Sequence, residues 1–402
     1  MRRNICFRLA GSVTLALLVW AANTAILQAQ SGRQTTVPDS QQKKNRRPDP
    51  NATPTPEAPP SDLGKNQDEI VKVTTSLINV EAVVYHKKTG QVITGLKREN
   101  FALFEDGTQK EITNFSTPEA PITITMVLDY SKLAANIGAA GNGGFEPGQN
   151  EILRPAAEFL TRFVRPPNDY VSVIAYDLRP TPITDFTNDP RRLQQVISLL
   201  ARNNPAFTDS NLFDALKLTL IGGKADSVVL ENSESRTTEY AGLAALTGRR
   251  KGVILICTGL DTFSKINFSQ ARKIVQNAGV PLYILGTGEL FVKKYADNLD
   301  PSRVMPGTPD RMDFYQAKNT LTTFAKESGG LYIPITFPGE IPSALQSINA
   351  LLRNQYSLGF APVKDGKQHK LVIKVDINGD GQYEEKDYVI QARPFYTVAP
   401  DK

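Results

Sequence analysis

The stretch ITITMVLDYSKL, residues 122–133, constrains this chain more than any other. Ile122, Ile124, Met126, Val127 and Leu128 form an apolar run too short for a helix and opened by Pro121, which predicts a strand buried on both faces at the centre of a sheet. It ends in Asp129 and Ser131. Ligands of open parallel sheets bind in the crevice outside the carboxyl ends of the strands, and a carboxylate followed by a hydroxyl there suits a hard cation. The same pair also suits the capping of a following helix, and on the dipeptide alone capping is the more economical reading.

Downstream of that strand the periodicity alternates. Ala157, Leu160 and Val164 lie on one face of a helix, and an apolar strand follows over 170–176. A short strand over 182–186 leads to the helix PRRLQQVISLLA, with Pro190 where helices tolerate it. NLFDALKLTLIGG reads as a helix opened by Thr208, Asp209 and Ser210. A second strongly apolar strand covers 251–257, a helix covers 269–278 up to Gly279, and a strand covers 280–285. Segments 320–328, 331–337 and 341–353 repeat the alternation. This order predicts the α/β class, a doubly wound, mostly parallel sheet with helices on both faces.

On either side the pattern is β alone. Residues 78–93 and 101–115 read as two hairpins, the second turning at Asp106-Gly107, where glycine supplies the positive φ of a tight turn. Leu371, Ile373 and Val375 alternate with Lys370, Val372 and Lys374, and 388–393 supplies a further strand. Residues 70–120 and 355–398 are therefore expected to pair into one small β-sandwich, with 121–354 joined to it or inserted in it.

Residues 1–29 combine a basic start, an apolar middle from Leu15 to Trp20 and a small residue, Ala29, the outline of a Sec-type signal peptide. Asn23, Thr24 and Gln28 interrupt the apolar run and argue against a membrane span, an uncleaved anchor being the alternative. Residues 30–69 are rich in proline and polar residues and read as a disordered linker. The predicted destination is the periplasm, the cell envelope or the medium. Arg2, Arg3 and Arg8 account for three of the net +5 charges, so the exported chain carries +2, too little to imply nucleic acid or an anionic membrane. Cys257, within GVILIC, reads as a small buried hydrophobe. His86 and His369 stand apart from other zinc ligands.

A strand ending in Asp-x-Ser, a polar residue opening a Leu-Phe-Asp-Ala-Leu helix, and a fourth strand ending in Thr-Gly-Leu-Asp together resemble a von Willebrand factor type A domain. VEAVVYHKKTGQVITGL, ENFALFEDGTQKEITNF and YSLGFAP resemble, more narrowly, the exported von Willebrand factor A-related proteins of acidobacteria. The resemblance implies a Rossmann-like fold and a rim that docks a protein partner, with Asp129, Ser131, Ser210, Thr258 and Asp261 on it. It also implies a metal site of the pattern Asp-x-Ser-x-Ser, Thr, Asp, holding Mg²⁺. Here Asp129 and Ser131 match, Leu133 replaces the second serine, Ser210 stands for the threonine and Thr258 for the last aspartate. Such a site is degenerate, short of one hydroxyl and one carboxylate, and Mg²⁺ is doubtful at Asp129, Ser131 and Ser210.

DINGDGQYEEKD carries a second metal pattern. Asp376, Asn378 and Asp380 alternate, Gly381 permits a sharp bend, Gln382 offers a backbone carbonyl and Asp387 takes the twelfth position, as in a calcium loop. It departs from that pattern in having Asp387 in place of glutamate and in lying between strands, where Asn378-Gly379 or Asp380-Gly381 is also ordinary turn chemistry. No nucleophile–base pair or cofactor fingerprint is evident. The expected function is a noncatalytic, exported binding module for a protein partner. The alternative is a structural cell-envelope component with a calcium-stabilised β domain.

Overall fold

The computed structural model describes residues 77–135, 148–203, 205–225, 239–294 and 309–398. The expected signal peptide and linker, and the glycine-rich segment 138–144, lie outside them. The chain begins with β1 (Ile78–His86), β2 (Phe101–Glu105), β3 (Thr108–Lys110) and β4 (Asn114–Ser116). β2 and β3 form the hairpin expected at Asp106-Gly107, and both turn residues have positive φ, 48° and 86°. The other expected hairpin forms only over 84–93, where the His86 and Ile93 amides donate to the Gln91 and Val84 carbonyls at 2.8 Å on either side of the Tyr85–Val92 bridge, because β13 takes the earlier part of that edge of β1.

Next come β5 (Ile122–Asp129), α1 (Lys132–Ala135), α2 (Gly148–Phe163), β6 (Tyr170–Tyr176), β7 (Pro180–Thr187), α3 (Pro190–Arg202) and α4 (Leu212–Ile221). The short pair β8 (Gly223–Lys224) and β9 (Glu239–Tyr240) precedes β10 (Arg250–Cys257), α5 (Phe268–Ala278), β11 (Leu282–Gly286) and α6 (Gly288–Lys294). Then follow α7 (Arg311–Ser328), β12 (Leu331–Pro334), α8 (Ile341–Arg353), β13 (Tyr356–Phe360), β14 (Gln368–Val375), β15 (Tyr388–Ala392) and β16 (Phe395–Thr397). α7 starts well ahead of the expected position 320. Asp310 caps it, accepting from the Met312 and Asp313 amides at 2.7 and 3.0 Å, in a stretch whose polar composition reads as loop.

Among the described residues, six strands form one sheet in the order β12-β11-β10-β5-β6-β7, with β7 antiparallel at the edge and every other pairing parallel. Counting these strands from β5, this is the 3-2-1-4-5-6 order of doubly wound sheets, and the order reverses between β5 and β10. All eight residues of β5 are buried. Ile122, Ile124, Met126 and Leu128 pack with α2, α3 and α8, while Val127 packs with α4, α5 and α7 on the opposite face. A strand covered on both faces has no position left for a polar surface, which is why its sequence is continuous rather than alternating.

The remaining strands form two four-stranded antiparallel sheets, β15-β1-β13-β4 and β16-β14-β2-β3. Val80, Ala82, Val84, Tyr356, Leu358 and Phe360 from the first share one apolar cluster with Phe101, Leu103, Leu371, Val375 and Tyr396 from the second. Pairing of β1 with β13 and β15 joins segments almost three hundred residues apart.

Candidate functional site

The strand-order reversal places the end of β5 beside the end of β10, and there Asp129 meets Thr258. Asp129 is 7% exposed. Its Oδ1 accepts from the Ser131 amide at 3.2 Å, and its Oδ2 accepts from the Thr258 amide at 3.1 Å and the Thr258 hydroxyl at 2.7 Å. Burial pushes the Asp129 carboxyl up from its ordinary value, and these donors act against that. The Ser131 hydroxyl accepts from the Ala134 amide at 3.2 Å, the capping role read for it from sequence.

Ser210 joins the same rim. Its hydroxyl donates to the Leu260 carbonyl at 2.9 Å, and its amide donates to the Thr262 hydroxyl at 2.9 Å. Asp261 accepts from the Phe213 amide at 3.1 Å and from the Ser264 hydroxyl, while Ser264 accepts from the Phe213 and Asp214 amides at 3.0 and 3.1 Å. Residues of the β10–α5 loop therefore satisfy the start of α4, which reads from sequence as capped by its own Thr208, Asp209 and Ser210. Tyr176, at the end of β6, is buried next to these groups. Burial carries its hydroxyl well above the usual phenol range, the Asp129 charge adds to that, and the Ser210 hydroxyl opposes it. Cys257 is buried and unpaired by any disulfide, and burial likewise raises its thiol.

These donors do not fit Mg²⁺. Thr258, a hydroxyl bonded to Asp129 at 2.7 Å, stands where the pattern has its second carboxylate, so half of the negative charge that would hold a hard cation is missing. Leu133 packs with Leu260, Phe314 and Ala317, so an apolar contact occupies the position of the second serine. The cavity against Asp129, Ser131 and Ala134 has room for about 10 Å³, the volume of one water. Beside exposed Thr208, Asp209 and Thr262, the rim exposes two aromatic side chains. Phe207 and Phe263 are 44% and 55% exposed, and each is anchored by its backbone, Phe207 accepting from the Lys132 amide at 2.8 Å and Phe263 donating to the Ser210 carbonyl at 3.1 Å. Periodicity did not single out either residue, since an isolated phenylalanine in a polar loop carries no pattern.

The second sequence pattern closes on itself differently. Asp376, Asp380 and Glu384 bring carboxylate oxygens within 4.8 Å of one another. The loop wraps Asp376, whose Oδ1 accepts from the Gly379 amide at 2.7 Å and whose Oδ2 accepts from the Gly381 amide at 2.8 Å. Asn378 donates its side-chain amide to Glu384 Oε1 at 2.8 Å, and the Gln382 amide donates to Asp380 Oδ1 at 2.8 Å. Asp387 is not one of the three; its carbonyl accepts from the Lys87 amide at 2.7 Å. Glu384 holds the ninth position of the calcium-loop spacing, one that commonly reaches the ion through water, whereas the sequence reading assigns the acidic ligand to Asp387 at the twelfth. Three convergent carboxylates are oxygen ligands of the kind Ca²⁺ takes.

No protein-family model matches this chain, and no curated protein matches it. Solved structures similar to it include the PilB minor pilin from Streptococcus sanguinis, at 11% identity and a TM-score of 0.40 over 58% of this chain and 61% of that one. The vWF domain of a type V pili tip protein from Porphyromonas gingivalis is similar at 13% identity and a TM-score of 0.38, over 58% and 95%. Proximal thread matrix protein 1 from the mussel byssus, in a form with a zinc-occupied MIDAS motif, is similar at 13% identity and a TM-score of 0.38, over 63% and 50%. Among the described residues no helix is long and apolar enough to cross a membrane.

Proposed function

We propose that this chain is an exported, noncatalytic von Willebrand factor A-like module that docks a protein partner on the rim around Asp129, Ser131, Ser210, Thr258 and Asp261 without a metal ion. The observation that carries this reading is the bond between Thr258 and Asp129 across the strand-order reversal. It converts the place where a doubly wound sheet takes its ligand into a closed, hydrogen-bonded floor, and leaves Phe207 and Phe263 as the large apolar groups available for contact. Export by a Sec-type signal at 1–29 and a spacer over 30–69 belong to the same proposal, as does a β-sandwich assembled from 70–120 and 355–398 around 121–354.

The convergence of Asp376, Asp380 and Glu384 favours a second reading, a structural envelope component whose β domain is held by Ca²⁺. Asp376, Asp380 and Glu384 would hold the ion and the Gln382 carbonyl lies in the same loop; the ion would supply a cross-link between β14 and β15, no reaction.

One experiment separates the readings. Photo-crosslinking groups placed at 207 and 263 are expected to capture one protein from cell envelopes equally well with and without EDTA. Capture abolished by EDTA overturns the metal-free rim. Absence of any saturable adduct at either position, together with calorimetric Ca²⁺ binding that Asp380→Ala removes, favours the structural reading instead.

A further inference from the structure

At the other end of the parallel sheet, the chain crosses to and from the antiparallel sheets at residues 117–121 and 353–356. Arg250, the first residue of β10 and 1% exposed, holds both crossings. It donates to the Pro118 carbonyl at 2.6 Å, to Ala120 at 2.7 and 3.0 Å, to Leu352 at 2.9 Å, to Arg353 at 3.3 Å and to Gln355 at 3.4 Å.

Beside this knot lies a carboxylate that the binding rim does not use. Val80, Ala82 and Val84 of β1 face the antiparallel core, so Glu81 points from the opposite face, toward the parallel sheet. Glu81 is 6% exposed. It pairs across the strands with Ser357, whose hydroxyl donates to Glu81 Oε1 at 3.0 Å, while Oε2 is buried without a hydrogen-bond partner among the described residues. Three more buried polar atoms around it lack a partner: Asn79 Oδ1, two residues away on β1; Gln355 Oε1, two residues from Ser357; and Arg393 Nε. Arg393 donates to the Asn79 carbonyl at 3.0 Å, and Gln355 donates to the Tyr283 hydroxyl at 2.9 Å, so these groups belong to one neighbourhood. Packing is tight there: Gly329 has φ +83°, and a Cβ on it would come within 2.4 Å of the Arg393 amide.

We propose that Glu81 is a proton-responsive latch at this joint, holding the antiparallel sheets against the parallel sheet when protonated and loosening them when ionised. An ionised Glu81 can only accept, as the Asn79 and Gln355 oxygens do, and among the described residues of this neighbourhood Arg393 Nε is the one unpartnered donor for three unpartnered acceptors. A proton on Oε2 makes it a donor among those acceptors, and removes a desolvated charge. The charged and titratable groups facing it are Arg250 and Lys251 from β10, Arg393 beyond β15 and Tyr283 from β11. Burial is the largest influence and raises the carboxyl to about 7; the Ser357 hydroxyl and the Arg250, Lys251 and Arg393 charges pull it back. None of the three cations lies within ion-pairing distance of Glu81. The folded protein thus holds this proton more tightly than the unfolded chain, so the latch is fully present below the ordinary glutamate value and is lost as pH rises through about 7.

The test compares the whole chain with Glu81→Gln in urea unfolding from pH 4.5 to 8, with hydrogen exchange of peptides spanning 117–121 and 353–357 at matched pH. Asp129 and His369 are also raised and tilt the curve the same way, so the difference between the two proteins is what reports on Glu81. The folding constant of the wild type is expected to fall on the order of a hundredfold more than that of Glu81→Gln across this range. The crossings should exchange faster in the wild type at pH 8 and alike at pH 4.5, with rim peptides unchanged. Ser357→Ala, which removes a bond favouring the ionised form, should move the fall to higher pH. Parallel curves for wild type and Glu81→Gln overturn the proposal. If Glu81→Gln does not fold, a fall in Ser357→Ala that stays in place or moves to lower pH overturns it as well.

Discussion

Asp129 and Glu81 are both buried carboxylates, and they stand at opposite ends of the parallel sheet. Asp129 has donors on both oxygens, supplied by the backbone of its own turn and by a residue whose strand the topology sets beside it. Glu81 has one donor and an orphan oxygen. Burial pushes both upward; among the described residues the unpartnered atoms cluster around Glu81, with Asn79, Gln355 and Arg393 each contributing one, whereas beside Asp129 the Tyr176 hydroxyl stands in that position. A satisfied buried carboxylate rigidifies the place where it sits, whereas a half-satisfied one leaves that place poised between two protonation states. Under the two proposals, the rim is a fixed docking floor and the joint the part of the molecule able to respond.

Removing the frame of the joint should have the largest effect. Arg250→Met leaves the carbonyls of both crossings without their donor, and a loss of about 3–5 kcal/mol is expected in urea unfolding, larger at pH 8 than at pH 4.5 because the guanidinium charge also favours ionised Glu81. A loss below ~1 kcal/mol would mean that the crossings are held by something other than this guanidinium.

At the rim, Asp129→Ala strands the Thr258 hydroxyl and two amides and should cost about 2–4 kcal/mol, and adding Mg²⁺ or EDTA to the wild type should leave its melting temperature in place. A shift with Mg²⁺ that Asp129→Ala abolishes would erase the contrast with Glu81, because the rim would then also be a responsive site.

Thr258→Asp combined with Leu133→Ser sharpens the same point. It sets a second carboxylate against Asp129 and replaces an apolar contact with a hydroxyl, so the protein should lose about 1–3 kcal/mol in EDTA and recover with Mg²⁺. Failure to recover would show that the narrow cavity, and not the donor set alone, keeps a cation out.

The smallest change in stability is expected for Phe207→Ala and Phe263→Ala, within about 0.5 kcal/mol of wild type, since both side chains are largely exposed. Their effect should appear in partner capture alone. A larger stability loss would make them part of the fold.

Much of the architecture is legible in the sequence. The continuous apolar runs at 122–128 and 251–257 announced strands covered on both faces, and the Asp106-Gly107 turn announced its hairpin, because these are properties of neighbouring residues. The hairpin expected over 78–93 forms only over 84–93 because β13 takes the earlier part of that edge of β1, a partner that local periodicity cannot see. Of the three carboxylates of 376–384, Asp376 and Asp380 were legible; Glu384 holds the ninth ligand position of the same spacing, and only the loop's curvature shows that it, not Asp387, joins them.

The sequence by itself determined the α/β class, the identity of the central strand and the presence of Asp129 and Ser131 at its end, because hydrophobic period and turn chemistry act over a few residues. Only the tertiary structure decided what those residues do. The Thr258 hydroxyl on Asp129 spans 129 positions and the Ser357 hydroxyl on Glu81 spans 276. Whether a buried carboxylate is satisfied or orphaned depends on which distant strand folds beside it, and that is a property of the sheet order.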